Sequence, residues 1–234
     1  MDRRAPCLVI RAVAISAIVA FGVVVAGCGS RESSALQGYA TGTLAPGQGL
    51  NDIHLGDPIK SFLDRFGSGK VSVTAGDELL AADLHFPSQG LSFRFTADPG
   101  CQSALRAGGS TVQAMMGIRD AKRFLTDFPA CASMSLHSIG VEDGGGTFGT
   151  AFTGHTAKGS KLRMTRAELF EHDGPGAADQ SVSSVLDSAD ERQFEQFAFA
   201  GGLLAYVQKE GEGNQEPAAA HWKVVKMAVV SEIK

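Results

Sequence analysis

Six histidines, a glycine-rich turn ending in lysine, many serines and a pair of cysteines are the groups in this chain that could bind a metal, hold a phosphate or attack a carbonyl. His54, His85, His137, His155, His172 and His221 show neither mutual helical ligand spacing nor an HExxH pattern. A zinc site needs three or four convergent ligands, so no metal site is expected. Gly67-Ser68-Gly69-Lys70-Val71 has the look of a phosphate loop, but that motif requires glycine where Asp64 stands and serine or threonine where Val71 stands. Gly67 is better explained as a helix stop. No serine sits in a G-x-S-x-G elbow. Gly144-Gly145-Gly146 has the composition of an anion nest and is read instead as a link between halves of the chain. Glu171, His172 and Asp173 read as a solvated charged face, and Tyr206 and Trp222 as sheet-face packing rather than binding hot spots. No catalytic residue and no cofactor are expected.

Cysteine chemistry depends on what precedes it. Arg3, Arg4 and Arg11 head an uncharged apolar run over residues 12–26, the layout of a secretory signal. The run is short for a bilayer-spanning helix, which needs about 20 apolar residues. It stops at Val25-Ala26-Gly27-Cys28, which resembles the bacterial lipobox, where the signal is cut before a cysteine that then receives diacylglycerol. Residues 1–27 are therefore expected to be a lipoprotein signal peptide and Cys28 the lipidation site, with palmitate-type acyl chains holding the protein on a membrane. Gly29 in place of aspartate resembles an outer-membrane sorting signal, so the protein is expected in the cell envelope, facing the periplasm if the host is Gram-negative. With Cys7 removed and Cys28 acylated, Cys101 and Cys131 remain as an even pair in an oxidising compartment. They lack the CxxC spacing of metal or redox sites, so a structural disulfide is expected.

Charge excludes one class of partner. Net charge is −4 and moves to −6 when Arg3, Arg4, Arg11 and Asp2 leave with the signal. No basic tract marks a nucleic-acid binder. Hydrophobic residues at 44% are enough to bury a core. Residues 28–50, rich in Gly, Ser, Ala and Thr and without periodicity, read as a lipidated flexible tether with a reach of about 25 Å.

An internal repeat organises the remainder of the chain. Residues 53–69 overlay residues 160–176 without a gap: Leu55 on Leu162, Phe62-Leu63 on Leu169-Phe170, Gly67 on Gly174 and Gly69 on Gly176. In the first copy Asp57 is expected to cap, Pro58 to open the helix, and Ile59, Phe62, Leu63 and Phe66 to form one apolar face. In the second, Thr165 and Glu168 form a capping box, while Arg166 and Asp173 replace Ile59 and Phe66. Each helix precedes strands of period two. Leu84 and Phe86 lead through a turn to Leu91, Phe93 and Phe95. Phe197 and Phe199 lead through Gly201-Gly202 to a strand whose buried set is either Leu204 and Tyr206 or Leu203, Ala205 and Val207. Residues 133–142 and 221–230 supply the last strands, the former needing a bulge near His137-Ser138 to reconcile Met134 and Leu136 with Ile139 and Val141.

The expected fold is α+β: two tandem units, 51–143 and 153–234, each with short helices packed on an antiparallel sheet. The first carries a helical insertion at 97–132, in which Ser110 to Gln113 cap a helix bearing Val112, Met115, Met116, Phe124, Leu125 and Phe128, closed by Pro129. Met115 and Met116 read as core packing rather than as an adaptable binding surface.

The stretches Ile53-His54-Leu55-Gly56-Asp57-Pro58 with Gly67, and Leu162-Arg163-Met164-Thr165-Arg166-Ala167-Glu168-Leu169 with Gly174-Pro175, resemble the SmpA/OmlA (BamE-like) family of outer-membrane assembly lipoproteins. They are also similar to the tandem units of the β-lactamase inhibitor protein family. Arg163 departs from the pattern, which prefers glycine there, and the 97–132 insertion is extra. The resemblance implies helices packed on antiparallel sheet and a non-catalytic protein that works by binding another protein. The expected partners are the membrane, through the lipid anchor, and an envelope protein. An inhibitor of an envelope hydrolase and a small ligand-binding or hydrolytic lipoprotein stand as alternatives.

Overall fold

The computed structural model describes residues 34–67, 70–75, 80–108, 120–143, 152–178, 194–208 and 222–231. The fold is α+β. Three short strands, β1 (Thr43–Ala45), β2 (Gly49–Leu50) and β3 (Ile53–His54), come first. Helix α1 (Ile59–Phe66) is then followed by β4 (Lys70–Ala75), β5 (Leu80–Phe86) and β6 (Leu91–Thr96), and by α2 (Pro99–Gly108), α3 (Ala121–Asp127) and β7 (Ser135–Glu142). The second half repeats the plan with β8 (His155–Thr156), α4 (Arg166–Asp173), β9 (Ala177–Ala178), β10 (Phe194–Phe199), β11 (Leu203–Gln208) and β12 (Lys223–Val230). Eight strands form one sheet in the order β4-β5-β6-β7-β12-β11-β10-β9, every neighbouring pair antiparallel. The halves meet where β7 pairs with β12, Val141 opposite Met227 and Ile139 opposite Val229.

The same hydrogen bonds recur in both halves. Gly56 N–H donates to the Leu136 carbonyl at 2.7 Å, and Arg163 N–H to the Val224 carbonyl at 2.7 Å. Ile59 N–H donates to the Met134 carbonyl at 2.8 Å, and Arg166 N–H to the Trp222 carbonyl at 2.7 Å. Each start-of-helix donor, left without a partner inside its helix, is thus satisfied by the strand beneath it. The bulges correspond as well. Arg94 faces Ser138 and Phe95 faces Leu136, leaving His137 as the extra residue; Tyr206 faces Lys226 and Val207 faces Val224, leaving Val225. The bulge expected near His137 is present, and it brings Met134, Leu136, Ile139 and Val141 to one buried face.

Aromatic packing holds α1 to the sheet. The Phe62 ring lies 4.6 Å from Phe93 and 5.5 Å from Phe95, centroid to centroid. Phe170 of α4 sits 5.1 Å from Phe197 in the same manner. In the second half Leu203, Ala205 and Val207 are the buried set, which decides the register the alternation left open. Capping differs between the helices. Thr165 and Glu168 form the expected box, and the Thr165 N–H holds the Glu168 carboxyl below the usual carboxylate range. Asp57 does not cap α1. Its carboxylate accepts from His54 N–H at 2.9 Å, and Pro58 takes the capping position in extended geometry.

Two further expectations are corrected. The tether expected through Leu50 is built structure from Ser34 onward. Residues Ser34–Thr41 form a 3-10 helix, and the short strands make a second small sheet in the order β3-β2-β1-β8. Leu36, Leu44 and Leu50 have no exposed surface, so this strap belongs to the core. Its 2- and 3-residue strands are too short to leave a periodic signature. The single helix expected to run to Phe128 is also corrected. Asp120 is extended, and its carboxylate accepts from Lys122 N–H to begin α3 afresh. Positions 109–119, including Met115 and Met116, lie outside the described residues, as do Cys28, Gly144 to Gly146 and His221.

Candidate interaction surface and cleft

Period-two alternation gives the sheet a second face, away from α1 and α4. Three rows of directly opposed residues cross it. One runs His85, Ser92, Gly140, Ala228, Leu204, Ala198. A second runs Asp83, Arg94, Ser138, Val230, and a third Glu142, Lys226, Tyr206, Gln196. Charges here are compensated across strands. Arg94 makes two hydrogen bonds to Asp83, at 2.8 and 3.1 Å, which raise its already high pKa. Lys226 Nζ donates to Glu142 at 2.6 Å and lies 5.8 Å from the Tyr206 ring centroid. Gly140 lies at the centre, where a Cβ would stand 2.4 Å from Ser92 Oγ and would displace that hydroxyl.

A cleft of about 590 Å³ opens at one end of the sheet. It is lined by the β1–β2 turn Pro46-Gly47-Gln48, by Leu55 and Gly56 ahead of α1, by Thr96, by Ser135 to His137 at the bulge, and by Gly201 and Ser231. Ser231 Oγ lies 2.7 Å from His137 Nδ1, and Ser231 N–H donates to the His137 carbonyl at 2.9 Å. Burial, and then the Arg94 charge, push the half-buried imidazole below its ordinary pKa, so it is neutral at pH 7. A nucleophilic serine needs a histidine whose protonated form is stabilised by a carboxylate. Arg94 has the opposite sign, and none of the described hydrogen bonds joins His137 to an acid.

The remaining candidate residues lie elsewhere. Cys101 and Cys131 are wholly buried with sulfurs 2.03 Å apart, and they tie α2 to the turn Pro129–Ser133. Gly67 ends α1 as expected, its N–H donating to the Leu63 carbonyl at 2.9 Å. Tyr206 and Trp222 are buried, as the packing reading requires, and Trp222 lies under the Arg166 guanidinium at 5.9 Å. Glu171 and His172 are exposed, but Asp173 is not part of a solvated face. Its side chain is 2% exposed and accepts a hydrogen bond from the buried Ser160 hydroxyl. Ser160 and Asp173 stand where the first half has Ile53 and Phe66, so a polar pair replaces an apolar one at the same place. No group of three or more His, Cys, Asp or Glu positioned to hold a metal occurs among the described residues. No helix among them is long and apolar enough to cross a membrane.

Nothing in the local pattern announces the His137–Ser231 contact, whose members are 94 positions apart. A signal does exist for the backbone beside it. Arg163 breaks the glycine pattern of the repeat, and the structure holds it at a φ of 66°, against 95° for Gly56.

The chain matches no protein-family model, and no curated protein and no solved structure is similar to it.

Proposed function

We propose that this chain is a membrane-anchored bacterial lipoprotein that acts as a non-catalytic protein-interaction module of the cell envelope. The observation that carries the reading is the continuous eight-stranded antiparallel sheet, packed by α1 and α4 on one face and carrying on the other rows of small, polar and charge-paired residues of which His85 is exposed and Ser92, Arg94, Ser138, Glu142, Lys226 and Leu204 are half-buried. Such a face has many backbone-fixed positions and compensated charges, which suits recognition by shape and hydrogen bonding. The lipobox at Val25 to Cys28 supplies the anchor. The resemblance to the SmpA/OmlA and β-lactamase-inhibitor families supports binding of a protein. Inhibition of an envelope hydrolase is the form of that activity the second resemblance implies.

The test has two arms. Cys28→Ala should abolish palmitate labelling and move the protein from the detergent to the aqueous phase; unchanged labelling removes the anchor. A photo-cross-linking residue at Leu204, half-buried on the open face, should capture a discrete envelope protein, and the same group at exposed Lys60 on α1 should not. Equal capture from both positions, or none from Leu204, ends the reading of the open face as the binding surface.

A further inference from the structure

We propose that strand β4 is a docking edge for the β4 strand of a second copy of this chain, joining two sheets in a two-fold dimer. β4 (Lys70–Ala75) stands at one end of the eight-stranded order. Its six residues all pair with β5 on the inner side, from Lys70 opposite His85 to Ala75 opposite Leu80. Among the described residues no strand lies on its outer side. A strand gives its N–H and C=O groups to both sides, so the outer set is a template for one more strand. Exposed edges are ordinarily blocked by a central charge, a proline, a bulge or a very short strand. The sequence Lys-Val-Ser-Val-Thr-Ala has no proline or glycine, carries its one charge at the end, and keeps an unshifted register with β5 throughout. Its valines and threonine favour extended backbone. The other edge, β9, has two described residues.

The seam between the halves shows why a second copy is the occupant that fits. Leu136 and Val224 accept equivalent hydrogen bonds from Gly56 and Arg163, so Gly140 and Ala228, each four positions later, are equivalents. They also face one another across β7 and β12. The seam is therefore a two-fold pairing of like strands, centred on a residue opposite its own counterpart. Antiparallel pairs alternate between hydrogen-bonded and non-hydrogen-bonded kinds, so a symmetric strand pair must be centred in this way. For β4 two such centres each give five pairs. About Ser72, Val71 meets Val73 of the second copy and Lys70 meets Thr74. About Val73, that residue meets itself, Ser72 meets Thr74 and Val71 meets Ala75. Neither centre opposes Lys70 to its own copy, and both oppose β-branched residues to one another. The two-fold uses β4 of both chains, so the assembly closes at two copies. Ser72 continues the row of Asp83, Arg94 and Ser138, which extends the open face from one copy into the next.

The experiment follows the full chain in detergent micelles by sedimentation equilibrium over a range of protein concentrations. A monomer–dimer equilibrium is expected. In the double variant Ser72→Lys, Thr74→Lys either centre sets like charges opposite one another across the contact, and the association constant falls about tenfold or more. A second measurement does not depend on that variant folding. Oxidation of Ser72→Cys, alone and mixed with Thr74→Cys, yields a disulfide-linked dimer in at least one sample, and Lys60→Cys on α1 does not. A monomer at every concentration, unchanged association in the double variant, or cross-linking no greater than that of Lys60→Cys overturns the proposal. So does a photo-reactive group at Ser72 that captures a different protein in cells and no second copy, which assigns the edge to a partner's strand. The lipid anchor and the open-face cross-link are read separately, so their failure leaves this result standing.

Discussion

Gly56 and Arg163 occupy one position in two copies of a motif, donate to equivalent carbonyls at the same 2.7 Å, and both hold a positive φ. The hydrogen bond to the last strand of each half fixes that backbone geometry. Glycine adopts it without penalty, whereas arginine crowds its Cβ against the following carbonyl. The second half accepts this strain and gains the Asp143 contact that joins the segment ahead of α4 to the end of β7.

That balance is measurable. Arg163→Gly removes the strain together with an ion pair whose arginine is largely exposed, and exposed pairs contribute little. Its unfolding midpoint in urea should equal or exceed that of the parent chain. Arg163→Ala keeps the strain and loses the pair, so its midpoint should fall below both. A glycine variant weaker than the alanine variant would contradict the account.

Acid should weaken the fold through His137. Its folded pKa lies below the ordinary value of 6.5, so between the two values the unfolded chain binds the proton and the folded chain does not. Stability is full above about pH 6.5 and falls with pH until the folded value is reached. Urea unfolding at pH 7.5 and 5.5 should show this loss, and His137→Gln should show a smaller one. Identical slopes in the two proteins would assign the effect to other groups.

Joining Cys101 to Cys131, 30 positions apart, restricts the unfolded chain. Loop-closure entropy sets the stabilisation at about 3–4 kcal/mol. The double variant Cys101→Ser, Cys131→Ser should lose that amount and become insensitive to reductant. A parent chain equally insensitive to reductant would show that the two thiols are not joined.

Leu36→Ala and Leu44→Ala should each cost about 2–5 kcal/mol, the range for truncating a fully buried leucine. A flexible tether would give no change. Circular dichroism during thermal unfolding separates these outcomes.

Both repeat helices and the longer strands are legible because their information is local. Phe62 and Leu63 sit three and four positions after Ile59, Thr165 and Glu168 face each other across one helical turn, and Leu91, Phe93 and Phe95 alternate along a single strand. The bulge at His137 is legible because Leu136 and Ile139 break a period of two. The start of α3 at Ala121 is hidden because Phe124 and Phe128 keep helical spacing right up to Pro129, whereas the extended geometry of Asp120 is a backbone feature that leaves no period in the sequence. The strap from Ser34 to His54 is hidden because residues far away in the chain bury its leucines, β1 pairing with β8 over a hundred positions later.

Residue order alone sets the α+β class, the glycine stop of each repeat helix, the capping box that starts α4 and the alternating strands, since each comes from the period and capping of neighbouring residues. Three-dimensional packing settles that β7 and β12 join the halves, that Asp173 is buried beside Ser160, and that the place Arg163 fills beside Asp143 is left open next to Gly56. Those outcomes depend on which distant backbone and side chain a residue meets, and the residues that meet carry no mark of each other in their local pattern.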